Sequence, residues 1–514
     1  MHHVNVSDYI DAPKGATSAM LFNSYSFIFI FLPVTLVGFY LIRPIAGGNM
    51  ALLYGFVCSV GFYAYWNVNY VPLLLFSVFV NYGIGAVILD RGHAPLGRVA
   101  LFVGVAANLA ALAYFKYANF LIDQIDWLSD VRLTQARIIL PLAISFYTFQ
   151  QIAYLVDCWR GQISENTFLR YIFLVTFFPH LIAGPIVRFR EIAPQFITFA
   201  GKAQAVNLAV GLAVFIIGLT KKVLIADQFG LIASPLFVEA QKLGYIDVVS
   251  AWVASLGYTL QLYFDFSGYS DMAIGLADMF GFRLAVNFLS PYKSASIAEF
   301  WRRWHVTLSR FLRDYLYFPL GGNRAGKGRT YINLMVTMAL GGLWHGAAWT
   351  FIAWGMYHGT LLALHRGWRA AAPRSWLSAV ARLRPLCVVV TFLFVVVGWV
   401  LFRAPDFTTA GVILSGMARI AEFSPDLIAS YPAEVYAEIA AGLLACWFLP
   451  NVYQVFYRYR PALIHTNQFG MVRPPDVRWQ TMFSSVEAAA LSAAFVACIY
   501  VMRSSISEFL YFMF

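Results

Sequence analysis

Apolar runs of about 17 to 25 residues, each long enough to cross a bilayer as a helix, recur along the whole chain with no long soluble insert between them. A backbone in hydrocarbon has no water to bond, so each such run must close its own hydrogen bonds as helix. Only 12% of the 514 residues are charged and 60% are hydrophobic, whereas charged residues make up roughly a quarter of an ordinary soluble domain. The pattern predicts an all-α, multi-pass integral membrane protein with about 11 to 13 membrane segments, some of them broken or re-entrant. The net charge of +11 lies between the apolar runs, which assigns it to cytoplasmic loops and the lipid bilayer and not to nucleic acid. Five scattered cysteines with no CxxC pair read as small core residues, and no metal site is expected.

The first 19 residues are polar, lack a signal-peptide core and read as an extension ahead of Met20. Residues 20–514 read as one membrane domain. Apolar runs at 24–42, 50–66, 70–89 and 97–115 are expected spans. The segment 138–157 carries Pro141 with Ser145, Thr148, Gln150 and Gln151, so it is expected either to kink or to pack inside the bundle, with its polar face inward. Pro179, His180, Gly184 and Pro185 interrupt 171–187, which predicts a broken or re-entrant helix. Runs at 206–226 and 248–264 lead to Asp265, Asp271 and Asp278. Carboxylates there are costly against lipid, so at least one is expected to line a cavity or pair with an arginine.

The sequence pivots on residues 297–359, the centre of an expected catalytic core at about 261–360. Between Trp301 and Arg329 stand seven Lys/Arg and one acid, Asp314, interleaved with aromatic and aliphatic residues. That is the pattern of a membrane-surface helix. An uncharged run, Tyr331 to Trp344, then delivers His345, and a second apolar run carries His358. Loop charge sets the topology. Residues 366–384 hold five arginines and no acid, so they are cytoplasmic by the positive-inside rule. Alternation from there makes 403–433 an outer loop and places the tail 503–514 outside. His345, 16 residues beyond Arg329, lies up to ~24 Å along a helix, deep in the membrane at a reversal between two runs.

Several long motifs carry a family resemblance: MLFNSYSFIFIFLP from Met20, FFPHLIAGPIVR at 177–188, YFDFSGYSDMAIG at 263–275, FWRRWHVTLSRFLRDYLYFPLGGNR at 300–324 and GGLWHGAAWTFIAWGMYHG at 341–359. The chain resembles the membrane-bound O-acyltransferases, in particular the bacterial branch that acetylates polysaccharides. The resemblance implies a ring of tilted helices around a central tunnel in a thinned membrane region. It also implies His345 as catalytic histidine, His305 as the second polar position and acetyl-CoA as donor substrate, with no tightly bound cofactor. A periplasmic acetyltransferase partner and an inner-membrane location follow from the same likeness. The terminal FLYFMF is similar to an aromatic motif of related systems in which a tyrosine carries acyl across the membrane, which points to Tyr511.

The chemistry fits these residues. An imidazole suits the task of taking a hydroxyl proton at neutral pH, so His345 is the expected base. His305 would orient it, polarise the thioester or hold donor phosphate. Arg302, Arg303, Arg310 and Arg313 would bind the phosphates of the donor, or snorkel to lipid headgroups. Asp265 and Asp271 are expected to pair with those arginines or with a histidine. His358 reads as a supporting or packing group, and His180 as structural. Tyr511 is either an acyl carrier or an interfacial anchor. The rival reading is a transporter or flippase whose histidines and acids line a solute path; repeat halves would favour it, and none is apparent.

Overall fold

A computed structural model describes residues 20–129, 137–163, 166–198, 204–324, 326–373, 375–376, 380, 382–465, 468–472, 483–503 and 507–510. The polar extension at 1–19 and Tyr511 lie outside the described residues. Within them the protein is helical throughout, the single bridge joining Ala285 and Leu463 apart.

Among the described residues, five helices are long and apolar enough to cross a membrane: Phe27–Ala46, Val68–Arg91, Pro95–Asp126, Ala205–Leu243 and Arg384–Arg403. Shorter apolar helices span Phe407–Ala418 and Ser485–Val501, the first of them inside the stretch expected to be an outer loop. Of the other expected segments, Ile144–Trp159 and Val248–Met279 are interior helices whose polar residues face protein. The longer, Val248–Met279, has 32 residues and is buried almost end to end. Asp247 starts it by accepting from the backbone N–H groups of Val249 and Ser250 at 2.9 and 3.0 Å, a side-chain N-cap. It continues straight through Asp265, Asp271 and Asp278.

That helix packs on Ala205–Thr220 at backbone distance. A Cβ on Gly211 would lie 2.5 Å from the Gly275 carbonyl oxygen, and one on Gly218 would lie 2.6 Å from that of Gly268. Glycine spaced seven residues apart on both helices is therefore what lets the backbones touch, the usual device where lipid offers no hydrophobic drive for helix association.

Pro141 precedes the helix Ile144–Trp159 and does not kink it; Ala143, in the left-handed region at φ +67°, turns the chain into it. The polar face is inward. Gln151 Oε1 accepts from Ser77 Oγ and Asn81 Nδ2, both at 2.7 Å, and Gln150 meets His180 Nδ1 at 3.1 Å. The 171–187 segment is broken: a helix ends at Thr176, a four-residue turn spans Phe178–Leu181, and the chain then runs non-helically to Arg188, buried throughout.

The span expected to end at 115 does not stop there. A wide turn, Ala113–Tyr117, carries it past Lys116, because the ammonium bonds inward to carbonyl groups and does not meet lipid. Replacing Gly211 by Leu is expected to overpack the helix contact, at a cost of at least about 1–3 kcal/mol; a lowered thermal transition or lost monodisperse yield in detergent checks it.

Candidate active site

His345 is the last residue of the helix Lys327–His345, and the next helix begins at Trp349. The imidazole therefore sits at the reversal, buried to 4% exposure. A helix C-terminus leaves its final carbonyl groups without intrahelical partners, which is costly away from water. Two side chains from the Pro95–Asp126 span supply them. Lys116 Nζ donates to the Trp344 carbonyl and, at 3.1 Å, to that of His345, while Tyr117 Oη donates to Leu343 at 2.9 Å. The cation also complements the negative end of the helix dipole. On the other side, Gly342 lets the helix Trp349–Ala371 approach so closely that a Cβ would collide with the Phe351 carbonyl. The catalytic candidate is thus fixed by its backbone.

His305 joins it from a different direction. It stands between the helices Ile297–Arg303 and Val306–Leu312 at φ +40°, ψ +54°, a left-handed conformation that costs a non-glycine residue free energy and marks functional positions. Asn287 holds that strained corner. Its Oδ1 accepts from His305 Nδ1 at 3.0 Å and from Thr307 Oγ1 at 2.9 Å, its carbonyl accepts from the Val306 N–H at 2.9 Å, and its Nδ2 donates to Ser270 Oγ at 3.2 Å. Because Oδ1 only accepts, neutral His305 carries its proton on Nδ1, leaving Nε2 with the lone pair. The two imidazole centroids lie 6.2 Å apart.

Aromatic rings seal the pair. Trp344, Trp354 and Phe402 pack on His345 at 5.0, 5.2 and 5.2 Å, and Phe266 meets His305 edge-on at 4.8 Å. Water-free surroundings strengthen any electrostatic interaction formed there. His358 does not join the pair: Trp354 lies between, 5.1 Å from His358 and 5.2 Å from His345. His358 is fully buried among Trp301, Trp354, Trp399 and Phe300, and neither ring nitrogen has a hydrogen-bond partner among the described residues.

The four arginines divide. Arg302, Arg310 and Arg313 line one cavity of about 190 Å³ together with Trp301, Val306 and Ser309. Val306, which lines the cavity, follows His305 directly in sequence. Arg310 is braced by Glu191 and His465, and a guanidinium can only donate, so His465 Nε2 accepts; burial and the Arg310 charge push the His465 imidazole below its ordinary value. Burial favours the neutral form of Asp314, but Arg313 and Arg188 outweigh it and hold the carboxyl below the usual range. Arg303 is outside this set, bonded to Glu299 at 2.8 Å and to the Leu289 carbonyl at 3.0 Å.

Among the described residues, Asp265 and Asp271 pair with neither an arginine nor a histidine. Adjacent lysines on a wide turn, Lys221–Ala226, take them: Lys222 meets Asp265 at 2.8 Å and Lys221 meets Asp271 at 2.6 Å, with Tyr453 Oη donating to Asp271 at 2.8 Å. Both acids face the Ala205–Leu243 span, against which their helix is packed, and the basic surface segment is elsewhere. Lys116 and Asn287 were not singled out in the sequence. Lys116 carries a usable signal, a lone cation closing an apolar run; Asn287 has none.

Residues 160–403 match the membrane-bound O-acyltransferase family. The peptidoglycan O-acetyltransferase of Helicobacter pylori is 42% identical over 428 residues, covering 78% of this chain and 80% of that protein. The probable alginate O-acetylase AlgI of Pseudomonas aeruginosa is 45% identical over 399 residues, covering 76% and 73%. The teichoic acid D-alanyltransferase of Bacillus subtilis is 28% identical over 279 residues, covering 52% and 69%. The chain belongs to the membrane-bound O-acyltransferase family, a class of multi-pass membrane enzymes that place acyl groups on hydroxyls. Within that family it is similar to the bacterial O-acetylases over most of its length, and the choice between enzyme and transporter falls to the enzyme.

Substituting Asn287 by Ala releases His305 Nδ1 and the strained corner together. Acyl transfer is expected to fall by about 10²-fold, the lower end of what a positioned acid–base group contributes, with the protein still folded; single-turnover kinetics beside a thermal melt check it.

Proposed function

We propose that this protein takes acetyl from cytoplasmic acetyl-CoA and passes it across the bacterial inner membrane for O-acetylation of an exopolysaccharide or cell-wall glycan, in concert with a periplasmic acetyltransferase. The observation that carries the reading is the buried His345–His305 pair, 6.2 Å between centroids, with a cavity lined by three arginines reaching Val306, the residue after His305. Guanidinium groups bind phosphate oxygens by charge-assisted hydrogen bonds, which suits the donor's phosphates at the mouth. The thioester end then reaches inward along Val306 toward the histidines.

His345 acts as general base. It takes the proton of an attacking hydroxyl, whose oxygen bonds to the thioester carbonyl carbon. As the tetrahedral intermediate collapses, the C–S bond breaks, the imidazolium returns its proton to the departing sulfur, and free CoA thiol leaves. His305, its Nδ1 proton committed to Asn287, orients the reacting groups. In our reading Tyr511, on an outward tail, supplies the hydroxyl and carries the acetyl as a phenolic ester. The ester is then exchanged to a glycan hydroxyl by the partner, which regenerates the phenol. The relatives named for peptidoglycan and alginate acetylation support the substrate class.

Purified protein in nanodiscs, incubated with acetyl-labelled acetyl-CoA, is expected to retain covalent label in the wild type and to lose it in both His345→Ala and Tyr511→Phe. Turnover that survives His345→Ala would falsify the base assignment; label retained by Tyr511→Phe removes the carrier. In the same assay Arg302→Ala and Arg313→Ala are each expected to raise KM for acetyl-CoA by about tenfold, since a charged hydrogen bond contributes roughly 1.5–3 kcal/mol, while kcat changes little, the pattern of lost uniform binding.

A further inference from the structure

A buried ion pair in a membrane domain calls for an account, because removing two charges from water costs more than their attraction returns unless every remaining hydrogen-bonding position is filled. Lys222 and Asp265 are 2% and 1% exposed. Helix packing does not need them, since the two helices that bear them already meet through the Gly218 and Gly268 backbones. What fills their remaining positions is the end of the chain. An ammonium has three donors, and Lys222 directs them to Asp265 at 2.8 Å, to Asp227 at 2.8 Å and to the backbone carbonyl of Glu508 at 2.9 Å. The second oxygen of Asp265 accepts the backbone N–H of Leu510 at 3.1 Å.

Three further contacts hold the same segment. The Phe509 ring lies under Lys222 Nζ at 4.9 Å and edge-on to Tyr269 at 4.8 Å, and Asn23 Nδ2 donates to the Ser507 carbonyl at 3.1 Å. Phe509 and Leu510 are consequently 1% and 8% exposed, an unusual depth for residues so near a terminus, where chains fray unless tied down. The direction is informative as well. Asp265 is followed by Phe266, which packs on His305 at 4.8 Å. Leu510 belongs to the same buried apolar cluster as Trp354 and Phe402, two of the rings around His345.

We infer that Lys222 and Asp265 form a seat for the backbone of the Ser507–Leu510 segment, a charged clamp inside the membrane domain that holds Leu510 in the apolar cluster shared with the rings around His345. The clamp reads backbone N–H and C=O groups, and the buried side chains of Phe509 and Leu510 anchor the same segment. Its catalytic consequence rests on the carrier reading above: Tyr511 is the residue that follows the clamped Leu510 N–H. Lys222 and Asp265 are then positioning residues, acting through the tail and not on the thioester.

The test uses the full-length protein in nanodiscs and reads two quantities side by side, amide hydrogen exchange and covalent acetyl label. Lys222→Met and Asp265→Leu each remove one jaw of the clamp. Leu510→Pro removes the clamped N–H together with the Leu510 side chain and lies outside the Val248–Met279 helix, so it serves where the buried variants fail to fold. In each, exchange of the Ser507–Phe509 amides is expected to rise on the order of tenfold to a hundredfold, the local opening set free by one lost charged hydrogen bond, while the Val248–Met279 helix keeps wild-type protection. Unchanged tail exchange in Leu510→Pro, or in a folded Lys222→Met, overturns the clamp. If exchange rises and label falls with it, clamp and carrier stand together. If exchange rises while wild type never holds label, the carrier reading fails and the clamp stands.

Discussion

Every polar group held inside a bilayer must find its partner within the protein, and the end of the helix that carries His345 is where this demand is sharpest. Its last carbonyl groups face away from water, and Lys116 with Tyr117 satisfies three of them from a neighbouring span. This bond network ties the Pro95–Asp126 span to the catalytic reversal and fixes where one helix stops and the next begins. The buried ammonium is tolerable because it is fully occupied. The His345 imidazole is accordingly anchored through main chain.

The second histidine is held by the opposite means. His305 sits on a strained left-handed corner, and Asn287 supports it by bonding the ring, the following N–H and the Thr307 hydroxyl at once. Strain of this kind persists only where the surroundings over-determine it. The result is two imidazoles brought to 6.2 Å from separate segments, one set by a helix end and the other by a turn, inside a shell of tryptophan and phenylalanine.

Charge is distributed with similar economy. Asp265 and Asp271 are six residues apart on one helix, while Lys221 and Lys222 are neighbours on a wide turn of the next. A wide turn inserts an extra residue and re-aims side chains, so consecutive lysines reach acids that a regular helix would separate. One of the resulting pairs holds only helices and Tyr453; the other reaches the terminal backbone.

Much of this was written in the order of residues. Span-length apolar runs fixed an all-helical membrane fold, the prolines of 171–187 announced its broken segment, and the run from Tyr331 to Trp344 delivered His345 to a buried reversal. Such features are local, decided by backbone bonding and by the period of the helix, and local rules can be read along a line. Partners cannot. Arg302 and Arg303 are indistinguishable as letters, yet one lines the basic cavity and the other is spent on Glu299. Asp265 is an acid in an apolar run with no sign that a lysine on another helix and the chain's own terminus will claim it. Asn287 looks like any loop asparagine until Thr307 and His305 close on it. The sequence by itself determined which groups must be buried, and the tertiary structure alone decided who satisfies them, because a buried charge or carbonyl takes whatever partner the packing of distant segments brings within about 3 Å.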